Sequence, residues 1–517
     1  MSNATERLAP QFSAQLSATL SLRNERLFAV ALLLTVAPLW FGRYLPMVDM
    51  PQHTAQIVAL HEIWTGNPTF TQAFEINWFT PYLLGYLLLY VLALVMPATI
   101  ATQLVVSLAV VSVPLLTGRL LRTAGADERW KWLAIPCAFG FAFYWGFLSF
   151  IVAMPVGLLF LIQSIRFAHS PSVSGGAAIA LFGVLLFFCH IIVLGYMSMV
   201  ALGYVIGSSY RDFKGLVLRM LPFAAPLPLI AVWLLITYTT ESVAQTSPTI
   251  YGSFIERLLW LLIQPSGRET LFLPINVAVT GAVAVLPFLA GATFSRRPER
   301  WLPFVLGLLA FFCAPALVMN TAYFYHRMVI FIVPLWLMTL DAPSGPGRRL
   351  DWVAMLVVAG WVLLNAGRFA SFARETESFK PILAAMEPGR RVASMVVENM
   401  SPLFGTPVYL HFPVWYQVEK RGIVDFNFAD FYSQPARYGK NAGPRIVDEL
   451  GWNPTWFQWA AHGGARYDYF IVKCRFDVSN EIFKEKRGSV QLVARSEWWW
   501  LYRNLEGPSA AQTQPKP

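Results

Sequence analysis

Charge is scarce in this chain. Of its 517 residues, 13% are Asp, Glu, Lys or Arg and 56% are hydrophobic, whereas a soluble domain carries about a quarter charged residues. That deficit excludes an ordinary soluble protein. Cysteine is almost absent too. Cys137, Cys189 and Cys313 sit far apart in apolar runs and only Cys474 lies in a polar stretch, which excludes a disulfide framework or a cysteine metal site. No Walker A sequence, glycine-rich dinucleotide loop, HExxH or nucleophile elbow occurs, so ATP-driven transport and serine or zinc hydrolysis lose their usual markers. Between Met47 and Trp64 there is no Lys or Arg at all. From 368 to 506 no apolar run is long enough to cross a bilayer.

What is present is a series of apolar runs near 20 residues. They place spans at roughly 27–45, 99–121, 131–146, 150–168, 176–190, 192–207, 217–239, 271–293, 301–319, 326–341 and 350–367. The expected fold class is therefore mainly α: a polytopic transmembrane helical bundle of about 11 spans. The run "PYLLGYLLLYVLALVMP" at 81–97 is best threaded without crossing. The loop holding Arg119, Arg122, Arg129 and Lys131 then lies inside, with Arg211/Lys214, Arg296/Arg297/Arg300 and Arg348/Arg349. The net charge of +10 belongs to such loops and does not imply nucleic acid. An odd number of spans puts the N-terminus in the cytoplasm and the C-terminus outside. Residues 1–26 read as a cytoplasmic tail, 27–367 as the membrane module and 507–517 as a disordered tail. Strand-like "RRVASMVVE", "RYDYFIVKC" and "SVQLVARSEWWWLYRN", with helix-like "ESFKPILAAM", make 368–506 an extracytoplasmic α/β domain.

The first outer loop, 46–80, carries acidic residues and no basic ones. In "MVDMPQHTAQIVALHEIW", Asp49 and His53 are four apart, so on a helix they share a face with Gln52 and Gln56. A carboxylate and an imidazole on one face suit a general base with an orienting partner, or two ligands of a divalent metal. The competing reading makes Asp49 an N-cap, with Pro51 in the first helical turn. His61 and Glu62 point elsewhere on the helix and serve as accessory candidates at most.

An acidic residue just past span one, here Asp49 within "PMVDMPQH", resembles the GT-C superfamily of membrane glycosyltransferases. That group includes protein O-mannosyltransferases, the lipid A aminoarabinose transferase and the oligosaccharyltransferase catalytic subunit. The layout is similar as well: amphipathic outer segments, many spans, then an outer α/β domain. The resemblance implies catalysis or metal binding at Asp49 and a polyprenyl phosphate or diphosphate sugar as donor. The acceptor would be an envelope glycan, a lipid or a protein, reached from the bacterial inner membrane. Family members often carry a second acidic motif in the next outer loop. Here that loop reads "FYWGFLSF", without Asp or Glu, which leaves open whether a divalent metal (Mg or Mn) is used; Asp49 and His53 would be its ligands.

The run "MNTAYFYHRMVIF" forms a second polar cluster on the outer side. There Arg327, with His326, Tyr325 and Tyr323, is the candidate for binding donor phosphate, because a guanidinium matches phosphate with paired hydrogen bonds. The competing reading is an interfacial anchor. His190, inside "LLFFCHIIVLGY", is an ionisable group in an apolar setting and another accessory candidate. Glu241, Glu256, Arg257, Arg268 and Glu269 lie in the 240–270 loop, and His411 or Asp430 in the aromatic-rich outer segment is placed to meet an acceptor. The expected function is transfer of a sugar from a lipid-linked donor to an envelope acceptor. The alternatives are a transporter or flippase for a lipid-linked saccharide, or a non-catalytic envelope-assembly subunit.

Overall fold

A computed structural model describes residues 24–240, 248–267, 273–343, 350–439, 446 and 448–508. Most of the expected N-terminal tail, the C-terminal tail from 509, and Glu241, Arg268, Glu269, Arg348 and Arg349 lie outside the described residues.

The chain is mainly helical. Four helices are long and apolar enough to cross a membrane: Ala98–Ala124, Leu148–His169, Ile191–Ser209 and one beginning at Trp352. A pair bent by 45°, Phe213–Ala224 and Leu227–Thr239, makes a fifth if it counts as one span. Their boundaries follow local chemistry. Ala98–Ala124 starts after Pro97 and stops at Gly125, whose φ of +72° ends the helix in the left-handed region. Leu148–His169 places Arg166 and His169 in its last turn, where cations complement the helix dipole. Large apolar side chains such as Leu33, Leu235, Leu356 and Leu363 are more than half exposed, a surface that hydrocarbon accommodates and water does not.

Eleven continuous spans are not found among the described residues. The expected span at 131–146 is broken into the turns Glu128–Leu133, Ala134–Cys137 and Phe141–Trp145. Pro136 lies in the second, and at Gly140 a Cβ would sit 3.1 Å from the carbonyl oxygens of Gln264 and Pro265. Residues 130–144 are all buried, so this segment is an internal plug with no face turned outward. The helix Leu83–Ala93 has 11 residues. At 1.5 Å per residue it reaches about 16 Å, half a hydrocarbon core of about 30 Å. His190 lies where the sequence breaks, between Val173–Cys189 and Ile191–Ser209, and its Nδ1 accepts the Ile192 N–H at 3.3 Å.

The C-terminal third contains a five-stranded sheet: β1 Arg391–Val396, β2 Ile423–Asp425, β3 Tyr469–Lys473, β4 Val490–Ser496 and β5 Trp499–Asn504, in the order β4-β5-β3-β1-β2. β1 runs parallel to both β2 and β3, with Val392 opposite Val424 and Tyr469; β3–β5 and β5–β4 are antiparallel. Alternate residues go to opposite sides. Val392, Val396, Tyr469, Ile471, Trp499 and Leu501 join the core of the helical part. Ala393, Met395, Phe470, Val472, Trp500 and Tyr502 pack under the 446–483 segment. A sheet covered on both faces explains why these strands read as near-continuous apolar runs.

The first loop and the sheet region interlock. Phe74–Ile76 pairs antiparallel with Ala436–Tyr438. The helix Met50–Trp64 is buried from Met50 to Leu60, polar residues included. Gln56 accepts the Ala436 N–H at 2.9 Å, Gln417 donates to the Ala55 carbonyl at 3.4 Å, and Glu62 pairs with Arg421 at 3.2 Å. A buried helix that carries Gln, His and Thr needs such partners, because an unpaired polar group inside costs about 1–3 kcal/mol.

Candidate functional site

Asp49 is the residue immediately before the Met50–Trp64 helix, yet its side chain makes no capping hydrogen bond. The N-cap reading therefore does not account for the carboxylate. Its position is set by the backbone instead: Val48 N–H donates to the Tyr144 carbonyl at 3.1 Å and Asp49 N–H to that of Trp145 at 2.9 Å. The chain comes this close because Gly146, at φ +88°, has no side chain. A Cβ there would stand 2.9 Å from the Asp49 nitrogen. The loop that lacks an acidic residue thus supplies the cradle for the acidic residue of the first loop.

Asp49, His53 and Arg327 line one cavity of about 370 Å³, together with His411. Most of its wall comes from four stretches, the start of the Met50–Trp64 helix, the turn at Trp145–Phe147, the hairpin Leu317–Val318/Thr321–Ala322 with Tyr323, and the 410–434 segment of the sheet region, with Tyr82, Arg327 and Trp452 among the rest. The sharing of a face by Asp49 and His53 follows the helical spacing read from the sequence.

Arg327 stands at the end of the hairpin. One Nη donates to the Ala322 carbonyl at 3.0 Å, and the guanidinium lies 3.6 Å from the Phe147 ring centroid. Its Nε is buried without a hydrogen-bond partner among the described residues, and it makes no ion pair among them. A guanidinium held in this way has donors for an anion. Three hairpin residues, Met319, Asn320 and Tyr323, have φ between 48° and 57°. Strained backbone of this kind is maintained where the surroundings fix it.

Both cavity histidines are neutral. Burial pushes the His53 imidazole down to about 3, with the Arg327 charge adding to the effect. Burial does the same to His411, which also falls to about 3, with His53 as the smaller cause. The His53 tautomer follows from its partners. Tyr86 donates its single proton to Gln434 Oε1 at 2.8 Å, so the short contact between Tyr86 and His53 Nδ1 has the imidazole as donor. That leaves Nε2 as the lone-pair nitrogen of His53.

His411 Nε2 lies 3.5 Å from Asp49 Oδ1, and its Nδ1 lies 3.0 Å from Gln52 Nε2. Gln52 is itself fixed: Oε1 accepts the Phe428 N–H at 3.0 Å and Nε2 donates to the Phe426 carbonyl at 2.7 Å. Composition placed His411 among candidate acceptor contacts; its pairing with Asp49 is a fact of the fold that no local spacing carries.

The remaining candidates lie elsewhere. His326 and Tyr325 do not line this cavity. Their rings stack at 3.8 Å between centroids, Trp260 meets His326 at 4.2 Å, and the Arg257 guanidinium lies 4.0 Å from the Tyr325 centroid. Arg257 also donates to the Phe311 and Ala314 carbonyls at 2.5 and 2.7 Å, so it ties down the end of the Pro298–Cys313 helix. The 3₁₀ turn Tyr325–Met328 turns neighbouring side chains in different directions, which keeps His326 and Tyr325 off this cavity while Arg327 lines it. Tyr323 alone of the three companions stays with Arg327. His61 contacts Tyr90 and Glu62 pairs with Arg421, both away from the cavity. His190 packs against Tyr82 and Phe150, one layer behind the wall that Tyr82 forms. Glu256 accepts from the Trp260 indole.

Among the described residues, no three His, Cys, Asp or Glu side chains come together to hold a metal ion. Mg or Mn in the cavity would be held by Asp49 together with oxygens of a bound phosphate. These ions take oxygen ligands, and Asp49 is the single carboxylate in a lining that also holds the Arg327 cation. His53 engages Nδ1 and keeps the Nε2 lone pair, while His411 engages Nδ1 with Gln52.

No family model and no curated protein matches the chain.

Proposed function

We propose that the protein is an integral-membrane glycosyltransferase. It moves a sugar from a polyprenyl-phosphate donor to an envelope acceptor on the outer face of the bacterial inner membrane. The observation that carries the reading is the meeting of a buried carboxylate, Asp49, and a guanidinium with unused donors, Arg327, in one aromatic-walled cavity. The resemblance of the first loop to the GT-C superfamily points the same way. In this reading the inverting step breaks the bond from the anomeric carbon to phosphate oxygen as the acceptor hydroxyl attacks from the opposite face. Asp49 takes the hydroxyl proton, and Arg327 stabilises charge developing on the leaving phosphate. The cavity then faces outward, with the sheet region outside.

The test is direct. Purified protein in nanodiscs is incubated with polyprenyl-phosphate donors carrying labelled sugars and an envelope extract as acceptor. Protein-dependent release of the free polyprenyl phosphate together with labelled glycan supports the reading. Intact donors across the panel, with no binding of polyprenyl phosphate, contradict it.

A further inference from the structure

The proposed chemistry gives His411 no step, and the contacts of its two ring nitrogens define a role for it. We infer that His411 is a positioning residue for Asp49: the Gln52 carboxamide holds the imidazole in a single tautomer that presents Nε2–H to the carboxylate. The inference rests on the reading of Asp49 as the base.

The argument begins at Gln52. Its Oε1 accepts the Phe428 N–H at 3.0 Å, which fixes which end of the carboxamide is oxygen. The two protons on Nε2 are then directed at the Phe426 carbonyl, 2.7 Å away, and at His411 Nδ1, 3.0 Å away. His411 Nδ1 must therefore be an acceptor. A neutral imidazole has one proton, so it resides on Nε2, 3.5 Å from Asp49 Oδ1. Charging the ring would require a proton on Nδ1, where the Gln52 amide already points its own. Burial opposes the charge as well. Among the ionisable groups facing the ring, His53 adds to the effect of burial as the smaller cause, while the Asp49 carboxylate 3.5 Å away acts in the opposite sense. Phe426 and Phe428 close around the ring, with centroids 4.7 and 5.4 Å away.

The chemical consequence is a division of labour. His411 keeps its proton throughout. Asp49 gains the acceptor's proton while the Nε2–H holds the carboxylate in place. Contacts of this kind are often long without substrate and tighten in the reacting complex. The contact also stabilises the ionised carboxylate, so its removal shifts the pH at which Asp49 becomes protonated upward.

The experiment compares His411→Phe, His411→Gln and Asp49→Asn with wild type. Phe fills the ring's space without an N–H; Gln can return an amide N–H near the position of Nε2. Transfer by His411→Phe should fall in kcat by about ten- to a hundredfold, the lower range for a lost acid–base partner, with the donor KM unchanged. The acidic limb of its pH–rate profile should move to higher pH, and His411→Gln should recover much of both. An unmoved pH limb, or a loss that Gln repairs in neither respect, overturns the role. A second readout needs no activity. Thermal melts of Asp49→Asn, His411→Phe and the double variant from pH 4 to 8 should show that the double is no worse than the poorer single. Strict additivity overturns the contact. Wild-type transfer by Asp49→Asn, with the melts still coupled, would sink the base reading and leave the Asp49–His411 contact standing.

Discussion

Replacing Arg327 separates a donor-phosphate site from an interfacial anchor. The guanidinium is held on the hairpin by one bond to the Ala322 carbonyl and by the Phe147 ring 3.6 Å away. Both contacts exist without ligand, so neither adds to donor affinity. What a phosphate would gain is the set of N–H donors with no protein partner, Nε among them. A hydrogen bond to a charged group is worth about 1.5–3 kcal/mol, or roughly tenfold to over a hundredfold in affinity. Arg327→Ala should weaken binding of a short-chain polyprenyl phosphate by that factor. Arg327→Lys should fall between, because it keeps the charge and loses the planar fork. The fold should survive, since the bond to Ala322, made by a charged donor, is worth about 1.5–3 kcal/mol. Arg297→Ala is the control, because Arg297 is exposed beside Gly125. The assay is titration calorimetry in neutral-lipid nanodiscs at two salt concentrations, with thermal melts alongside. A buried contact should be only weakly salt-dependent. Equal losses from Arg327→Ala and Arg297→Ala, or a twofold loss at most from the former, would remove Arg327 from the site.

Three further outcomes follow from particular contacts. Gly146→Ala must place a side chain at φ +88° and 2.9 Å from the Asp49 nitrogen; a left-handed non-glycine residue costs about 1–2 kcal/mol before any clash, so the melting temperature should drop, and an unchanged one would refute the cradle. His53 and His411 have folded values near 3, below the ordinary 6.5, so the unfolded chain binds more protons between those limits. Each should then remove about 1.4 kcal/mol of stability per pH unit as pH falls below about 6.5, and acid melts of His53→Gln should be visibly flatter than wild type. A reporter fused after Leu505 should be active only in its exported form; cytoplasmic activity would reverse the proposed orientation.

The sequence made some of this legible because the signals were local. The strand-like runs at 390–398, 466–474 and 489–504 became β1, β3 and the β4–β5 hairpin; β1, β3 and β5 alternate between two covered faces, while β4 is a largely exposed edge strand. The face shared by Asp49, Gln52, His53 and Gln56 needed only helical spacing. Hydropathy misled where burial in protein imitates burial in lipid. The apolar run at 131–146 is a broken internal plug, and hydropathy cannot tell a hydrocarbon neighbour from a packed one. β2 was hidden because Ile423–Asp425 is three residues long. Its last residue, Asp425, is fully buried and meets Arg391 at 2.9 Å, Tyr438 at 2.8 Å and Tyr467 at 2.7 Å, a hub assembled from four distant stretches. The union of Asp49 with His411, 362 positions apart, is equally non-local. The separation of Arg327 from His326 was illegible for the opposite reason: adjacent residues diverge according to the backbone turn, which composition does not specify.

The central claim is that the Asp49 carboxylate takes a proton during sugar transfer. Asp49→Asn tests it with least disturbance, because Asn keeps the shape, Asp49 has no capping hydrogen bond to lose, and Asn cannot accept the acceptor's proton. The measurement is transfer of labelled sugar from a lipid-linked donor by purified, folded protein, with donor binding and melting temperature followed in the same samples. The account predicts intact folding, retained donor binding and transfer reduced by about a hundredfold to ten-thousandfold, the usual loss with a general base. Transfer at the wild-type rate by the Asn variant would contradict it.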